Sequence, residues 1–596
     1  MDSIFINNTA NQYGGGVEWD GANGMLIDST FINNIANIVA GGVHWYGPNG
    51  SIFGSIFIGN TAGTNGGGIN WDGANGTLSD SNFTKNTANQ YGGGVYWHVA
   101  NGTLTGSNFA SNSANSGAGV FWNGANGGIT YCSFIGNSVT LAAGGLYWAG
   151  ANGTLRYSNF TGNSATSYGG GIFWQGTNCT MSSCNFANNH ANNGDNVYWR
   201  WTVNEFLNKY NQINDFDYVF IWNGVGTPTS TIVLNKKGVI ISSQGNVVFD
   251  AKGGNLHFEV TGDNVLIEKI TFRNFNFTGS GGAILWSGGY GILNNCKFIN
   301  NTATKDGGAI RWGGVAGNLT ASTFTGNNAG GSGGGLLWIA NYGTISACNF
   351  INNIAKSNGG AIAWFGGYNT LIGSSFINNK AIYGGGIYCR SAFSSFTGST
   401  FTHNTATHGG GIYMESIDCI LTNSAFLNNT ANRGGGVCWI GANGNLNTSS
   451  FTHNTAVNGG GIYWGSINGK LTSSFFADNS VTVNGGGIYW GGANGNLIDS
   501  SFNNNIANGN GGAIFLNNVS SMTNCSFNNS QWLNSYARSN GVYTNNNLTI
   551  NNGEGIVEIV MKGTLSGTNI VVLNNETYYY PPNTNINLPN KNSIKQ

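Results

Sequence analysis

A phenylalanine returns every 25 or 26 residues along most of this 596-residue chain. It stands at Phe5, Phe31, Phe57, Phe83, Phe109, Phe134, Phe160 and Phe186. It resumes at Phe272, Phe298, Phe324, Phe350, Phe376, Phe401, Phe426, Phe451, Phe476, Phe502 and Phe527. Asn lies three residues after it at 17 of these 19 positions, and Ser or Cys two residues before it at 18. A variable loop then leads to a "GGG-V-x-W" segment, as in Val17 to Trp19 or Ile462 to Trp464. A period of this size cannot be folded around one ordinary globular core. It is the mark of stacked units, each of which buries its apolar face against a copy of itself.

Within a unit the apolar residues are two apart, which is strand spacing. The segments between them, typified by "GANG", supply Gly and Asn, which accept left-handed backbone. No repeat contains the ten or more residues of 3.6 periodicity that a helical solenoid needs, and a propeller blade requires about 40 residues. The pattern therefore predicts an all-β parallel β-helix (solenoid) with 25–26-residue rungs, each of three short strands. Rungs about 4.8 Å apart place like residues in ladders. Phe, Trp and Leu columns then form the core, and the Asn column forms a hydrogen-bonded corner.

The organisation read from the repeat has four parts. Residues 1–197 are a first array. Residues 198–271 are a short helix, capped by Thr202 and Glu205, plus irregular β segments that shield a core end and restart the array. Residues 272–545 are a second array, and 546–596 a C-terminal β fragment. Only 7% of residues are charged and the net charge is −1, so nothing electrostatic favours nucleic acid. No apolar run reaches the roughly 18 residues of a membrane span. The chain starts inside a repeat with no signal peptide before it. That predicts a natural chain longer upstream, or end-to-end self-association through a bare first rung.

Two short motifs alternate through the repeats. "GGAI" occurs at 281–284, 307–310, 359–362 and 511–514, between "FINN", "FTGN" and "FANN". The pairing resembles the GGAI and FxxN repeats of the chlamydial polymorphic membrane proteins. The Asn/Thr-rich texture, the Trp after "GGG" and "VTGDNVLIEKITF" resemble the adhesin-like surface proteins of methanogenic archaea. The resemblance spans residues 1–545. It implies a right-handed parallel β-helix at the cell surface, extracellular, serving attachment without catalysis.

Two rival readings are a polysaccharide-degrading β-helix enzyme, either lyase or hydrolase, and a purely structural surface rod. An enzyme needs carboxylates gathered on neighbouring rungs. Asp28 and Asp80 share a column but lie two rungs apart, as do Asp20 and Asp72. His403 and His453, also two rungs apart, are too distant to share a metal. No catalytic residue, metal ligand or cofactor is therefore assigned. The nine Cys occupy small-residue positions, with no disulfide expected.

The candidate binding surface is the x column of "GGG-V-x-W". Alternation turns x away from the core-facing Val and Trp. Glu18, His44, Asn70 and Arg311 in that column point to a solvent-facing position. Tyr96, Phe121, Tyr147, Phe173 and Tyr198 follow on consecutive rungs. Tyr388, Tyr413, Tyr463, Tyr489 and Phe515 make a second run, broken by Cys438. The reading is a flat exposed aromatic stripe for a surface ligand, a glycan or a protein on another cell.

Overall fold

The computed structural model describes residues 2–516 continuously and, beyond them, isolated residues and strands up to 587. It is an all-β parallel solenoid of stacked rungs. They fall into two compact units, Met1–Gly226 with Lys236–Val247, and Thr227–Asn235 with Val248–Gln596. In the first unit a rung carries four strands rather than the expected three. In the second rung these are Met25–Ile27, Thr30–Ile32, Ile35–Ala36 and Val43–Trp45. The additional strand is the two-residue Ile35–Ala36 piece. Its Ala is buried against the Ala of the rungs on either side, a contact too short to leave a period-two signal.

Register is set by the repeat itself. Phe31 pairs with Phe5 and Phe57, and Trp45 with Trp19 and Trp71. The rings stack at the strand spacing, 4.8 Å for Phe31 on Phe57 and 4.9 Å for Trp19 on Trp45. Phe31, Trp45, Leu78 and Ile69 are buried. Each fully buried side chain of this size contributes about 1.5–3 kcal/mol. The in-register stack supplies that burial to every rung with no long-range specificity beyond its neighbour.

The corners explain the Asn and Gly content. Asn33, Asn49 and Asn75 hold left-handed backbone, with φ of 52°, 58° and 57°, a conformation Asn tolerates better than other side chains. The Asn three residues after each Phe has a different task. Asn34 Oδ1 accepts from the backbone N–H and the side-chain amide of Asn8, at 3.0 and 2.8 Å. Its own Nδ2 donates to Phe5 O and to Asn60 Oδ1, at 2.9 and 3.0 Å. Every lone pair and proton that burial would otherwise leave unpaired is used along the stack.

The last Gly of "GANG" lies against the Trp indole. A Cβ on Gly50 would stand 2.1 Å from Trp45 Nε1. At three rungs of the second unit where that turn residue is larger, the Trp column changes with it, whereas Trp174, five before Cys179, keeps its stack on Trp148. Five residues before Cys419 stands Met414, and five before Ser394 stands Cys389. Five before Asn369, the Trp364 ring tilts 48° from Trp338.

In the first unit the Trp strands continue past the repeats. Val197–Trp201 pairs with Tyr218–Ile221, which pairs with Ile240–Ser243. The helix Val203–Lys209 forms as its sequence predicts, with the reciprocal Thr202 and Glu205 capping box. It buries Val203 and Phe206. Val203 leaves no room for a Cβ at Gly226, which would stand 2.3 Å from its Cγ1. Beside it the fully buried Asp217 carboxylate accepts from Trp199 Nε1 at 2.8 Å and from the Asn214 N–H at 2.9 Å. Burial pushes its pKa up to about 7.

All nine cysteines are free thiols. Among the described residues no helix is long and apolar enough to cross a membrane. The proposed C-terminal fragment, 546–596, lies largely outside the described residues.

Candidate functional site

The aromatic column of the first unit is a groove floor, not a flat exposed stripe. Tyr96, Tyr147 and Phe173 are half-buried, while Phe121 is 9% and Tyr198 8% exposed. His44 and Asn70, whose polarity pointed to open solvent, are 7% and 2% exposed. The x side chains do leave the core face, as alternation requires. What covers them is the turn before the Gly run. Gly92 takes φ +68° and reverses the chain sharply. Tyr91, just before it, then falls over the column, its ring 4.6 Å from Phe121. Tyr168 does the same three rungs further on, 4.9 Å from Tyr198. The opposite wall is the residue two beyond x on the same strand face: Asp20, Tyr46, Asp72, His98, Gln175 and Arg200.

Along the floor the rings stack without a break. Phe121 to Tyr147 is 4.3 Å, Tyr147 to Phe173 4.7 Å, Phe173 to Tyr198 4.9 Å and Tyr198 to Tyr218 4.8 Å. From Glu18 to Tyr218 every x residue pairs in register with the next. At about 4.8 Å per rung the column runs roughly 40 Å. A cleft of about 390 Å³ lies over its Phe121–Tyr198 portion, with Arg200 in its lining.

A larger cleft, about 800 Å³, lies over the N-terminal portion. Its walls include Tyr13, Glu18, His44, Tyr46, Asp72 and Tyr96. Here the structure assembles a cluster that comparison within single columns did not reveal. His44 Nε2 is 3.0 Å from Asp72 Oδ2, and His98 Nδ1 is 3.0 Å from Asp72 Oδ1. Glu18 Oε1 is 3.6 Å from His44 Nδ1, and Asn70 Nδ2 donates to Asp72 Oδ2 at 2.6 Å. Burial opposes ionisation of Asp72, but His44 and then His98 outweigh it and hold the carboxyl below its ordinary range. Burial, and next the Asp72 charge, raise the Tyr96 phenol. The signal was present in the repeat. Glu18, His44 and Asn70 occupy x, Asp72 and His98 occupy x plus two, and both positions face one side of the strand. Asp20 and Asp72 are indeed two rungs apart, but the His of the intervening rung reaches Asp72.

In the second unit Tyr388 is 6% and Phe515 6% exposed. Tyr388 to Tyr413 is 5.7 Å, Tyr463 to Tyr489 4.7 Å and Tyr489 to Phe515 4.9 Å. Cys438 interrupts the stack and is buried. The Arg433 guanidinium sits 5.3 Å over the Tyr463 ring, and the Tyr388 hydroxyl donates to Glu415. Among the described residues no three His, Cys, Asp or Glu side chains are grouped to hold a metal ion.

This fold defines a parallel β-solenoid whose first unit carries an aromatic, locally acidic groove. Residues 295–311, 373–390 and 499–517 match the Chlamydia polymorphic membrane protein repeat. These segments carry the "FINN" or "FNNN" and "GGAI" or "GGGI" pairs. The match relates this repeat to that of a surface-protein family. No curated protein matches the sequence. Among solved structures, a PL6 alginate lyase in complex with a trisaccharide is 14% identical at a TM-score of 0.35. The match covers 65% of this chain and 91% of that one. A mannuronic-acid-specific family 6 lyase from human gut microbiota is 12% identical at 0.36, over 55% and 86%. A PL6 polysaccharide lyase from Pseudopedobacter saltans is 11% identical at 0.31, over 63% and 91%.

Proposed function

We propose that this chain acts outside the cell as an adhesin-like surface protein, holding an extended glycan in the aromatic groove of its first unit without reacting with it. The observation that carries this reading is the unbroken ring stack from Phe121 to Tyr218 on a groove floor. A rigid row of ring faces with polar walls suits sugar rings, which present apolar faces and hydroxyl edges. Similarity to the polymorphic membrane protein repeat supports a surface location. Attachment, the role implied by the resemblance to archaeal adhesin-like proteins, follows when that glycan belongs to another cell.

The test uses the intact chain on an array of extended glycans, then the Tyr91→Ala and Tyr168→Ala double variant. Both rings are 38% exposed and stand over the stacked floor column. Binding that falls about tenfold or more with an unchanged unfolding midpoint supports the groove. Equal binding by the variant, or no glycan bound by the intact chain, leaves the column as a structural ladder worth about 0.2–1 kcal/mol per pair.

A further inference from the structure

The larger cleft has a one-sided charge inventory. Glu18, Asp20 and Asp72 supply carboxylate oxygens, and no Lys or Arg lines the cleft. The donors in the lining are hydroxyls, amides and the two His rings, and several are already committed. Asn70 Nδ2 and the His98 ring nitrogen are spent on Asp72. His44 Nε2 lies 3.0 Å from Asp72 Oδ2, and its Nδ1 lies 3.6 Å from Glu18 Oε1. His44 Nδ1 and Asn70 Oδ1 have no hydrogen-bond partner, although their residues are 7% and 2% exposed. Asn65 Oδ1, in the same lining, is also unpartnered. Buried acceptors left unpaired cost about 1–3 kcal/mol each unless a guest supplies the donors.

The guest that complements three carboxylates with no Lys or Arg beside them is a group with several protons to donate and a positive charge. An ammonium meets both conditions. Aromatic rings complete the site. Tyr13 is centred 5.4 Å from the His44 ring and Tyr46 6.3 Å from it, and both phenols are well exposed. Ring faces beside carboxylates are the usual surroundings of a bound organic cation.

We propose that this cleft is an ammonium-binding subsite which takes the unacetylated amine of a glucosamine unit, within a glycan lying along the groove. The proposal rests on the glycan reading above. A sugar amine fits better than a lysine of a protein partner because the column continues onto stacked ring faces, with Tyr96 5.5 Å from Phe121, and such faces suit sugar rings. The three carboxylates raise the pKa of the guest amine, so it binds charged.

The experiment is calorimetry on the full chain at neutral pH, with a β-linked glucosamine oligosaccharide, its N-acetylated counterpart and the glucose counterpart. A lysine-rich peptide is the fourth probe. The glucosamine oligosaccharide is expected to bind at least about tenfold more tightly than the other two sugars, with proton uptake. Glu18→Gln with Asp20→Asn should abolish that preference and spare binding of the neutral sugars. Both side chains are exposed enough to leave the fold intact. Equal affinity for all three sugars overturns the subsite while the glycan groove stands. No binding by any sugar overturns both. Peptide binding as tight as the glucosamine oligosaccharide overturns the sugar as the source of the ammonium.

Discussion

Replacing Asn353 with Leu tests whether the corner ladder holds each rung to the next. Asn353 Oδ1 accepts from the Asn327 backbone N–H at 3.0 Å and from Asn327 Nδ2 at 2.9 Å. Its Nδ2 donates to Phe324 O at 2.9 Å and to Asn379 Oδ1 at 3.0 Å. All three Asn residues are fully buried. Leucine removes four bonds and leaves the Asn327 N–H with no acceptor in a place water does not reach. That orphaned donor costs about 1–3 kcal/mol, and each of the other three bonds about 0.5–1.5 kcal/mol net. The expected local loss is therefore roughly 2.5–7.5 kcal/mol, reduced where the Leu side chain finds apolar contact. Because each rung touches only its neighbours, the loss should be confined. Native-state hydrogen exchange is the assay. The amides of Asn327, Asn353 and the rungs beside them should lose protection, while those near Asn454 and Asn479 keep theirs. Uniform loosening of the second unit would refute the nearest-neighbour picture. Unchanged exchange at Asn327 would refute the ladder's role.

Three further outcomes follow from other buried groups. Asp217 keeps its proton in the folded state up to about pH 7, whereas an unfolded Asp releases it near 3.9. Stability should therefore fall as pH rises between those values and level off above them. Asp217→Asn should flatten that slope in urea titrations, and an identical slope in the variant would count against it. Burial pushes the thiols of Cys132, Cys296, Cys348 and Cys438 up to about 12. A thiol reagent at neutral pH should label them only in denaturant, and rapid labelling of the native chain would contradict the packing. Gly76→Val would force a Cβ to within 2.3 Å of Trp71 Nε1. Overpacking of this kind costs about 1–3 kcal/mol, read as a lower unfolding midpoint, and no change would show that the indole has room to move.

The ladders were legible because the period itself names the neighbours. Phe31 must stack on Phe57 once rungs of 26 residues lie in parallel, and so must Asn34 on Asn60. The helix was legible because Thr202, Glu205 and the apolar spacing after them are local signals. The groove was half legible. Alternation tells which side of the strand Tyr96 and Tyr147 occupy, but not what else lies on that side. The fold-back of Tyr91 depends on the handedness of one glycine, Gly92, which a Gly run does not announce. The Glu18, His44, Asp72 and His98 cluster escaped because only like residues were compared along a column. Its central contact is diagonal, joining His44 at x to Asp72 at x plus two on the next rung, while His98 is the neighbour of Asp72 in the same column. The two-residue strands were hidden for a simpler reason. Ile35–Ala36 is too short to show any period.

The sameness of the stacked surfaces also bears on how such a chain changes length in its gene. The upper face of the Phe57 rung and that of the Phe83 rung offer the next rung the same Phe, Asn and Trp contacts. Cutting 26 residues at any phase of the repeat rejoins two faces that already fit, and copying in 26 does the same. Unequal exchange between repeats of the coding sequence would thus yield folded products, with neither a new core to design nor an old one to repair. What a deletion cannot restore is the order of the side chains outside the core. The removal of one rung between Glu18 and His98 would dissolve the acidic cleft and leave the solenoid beneath it whole.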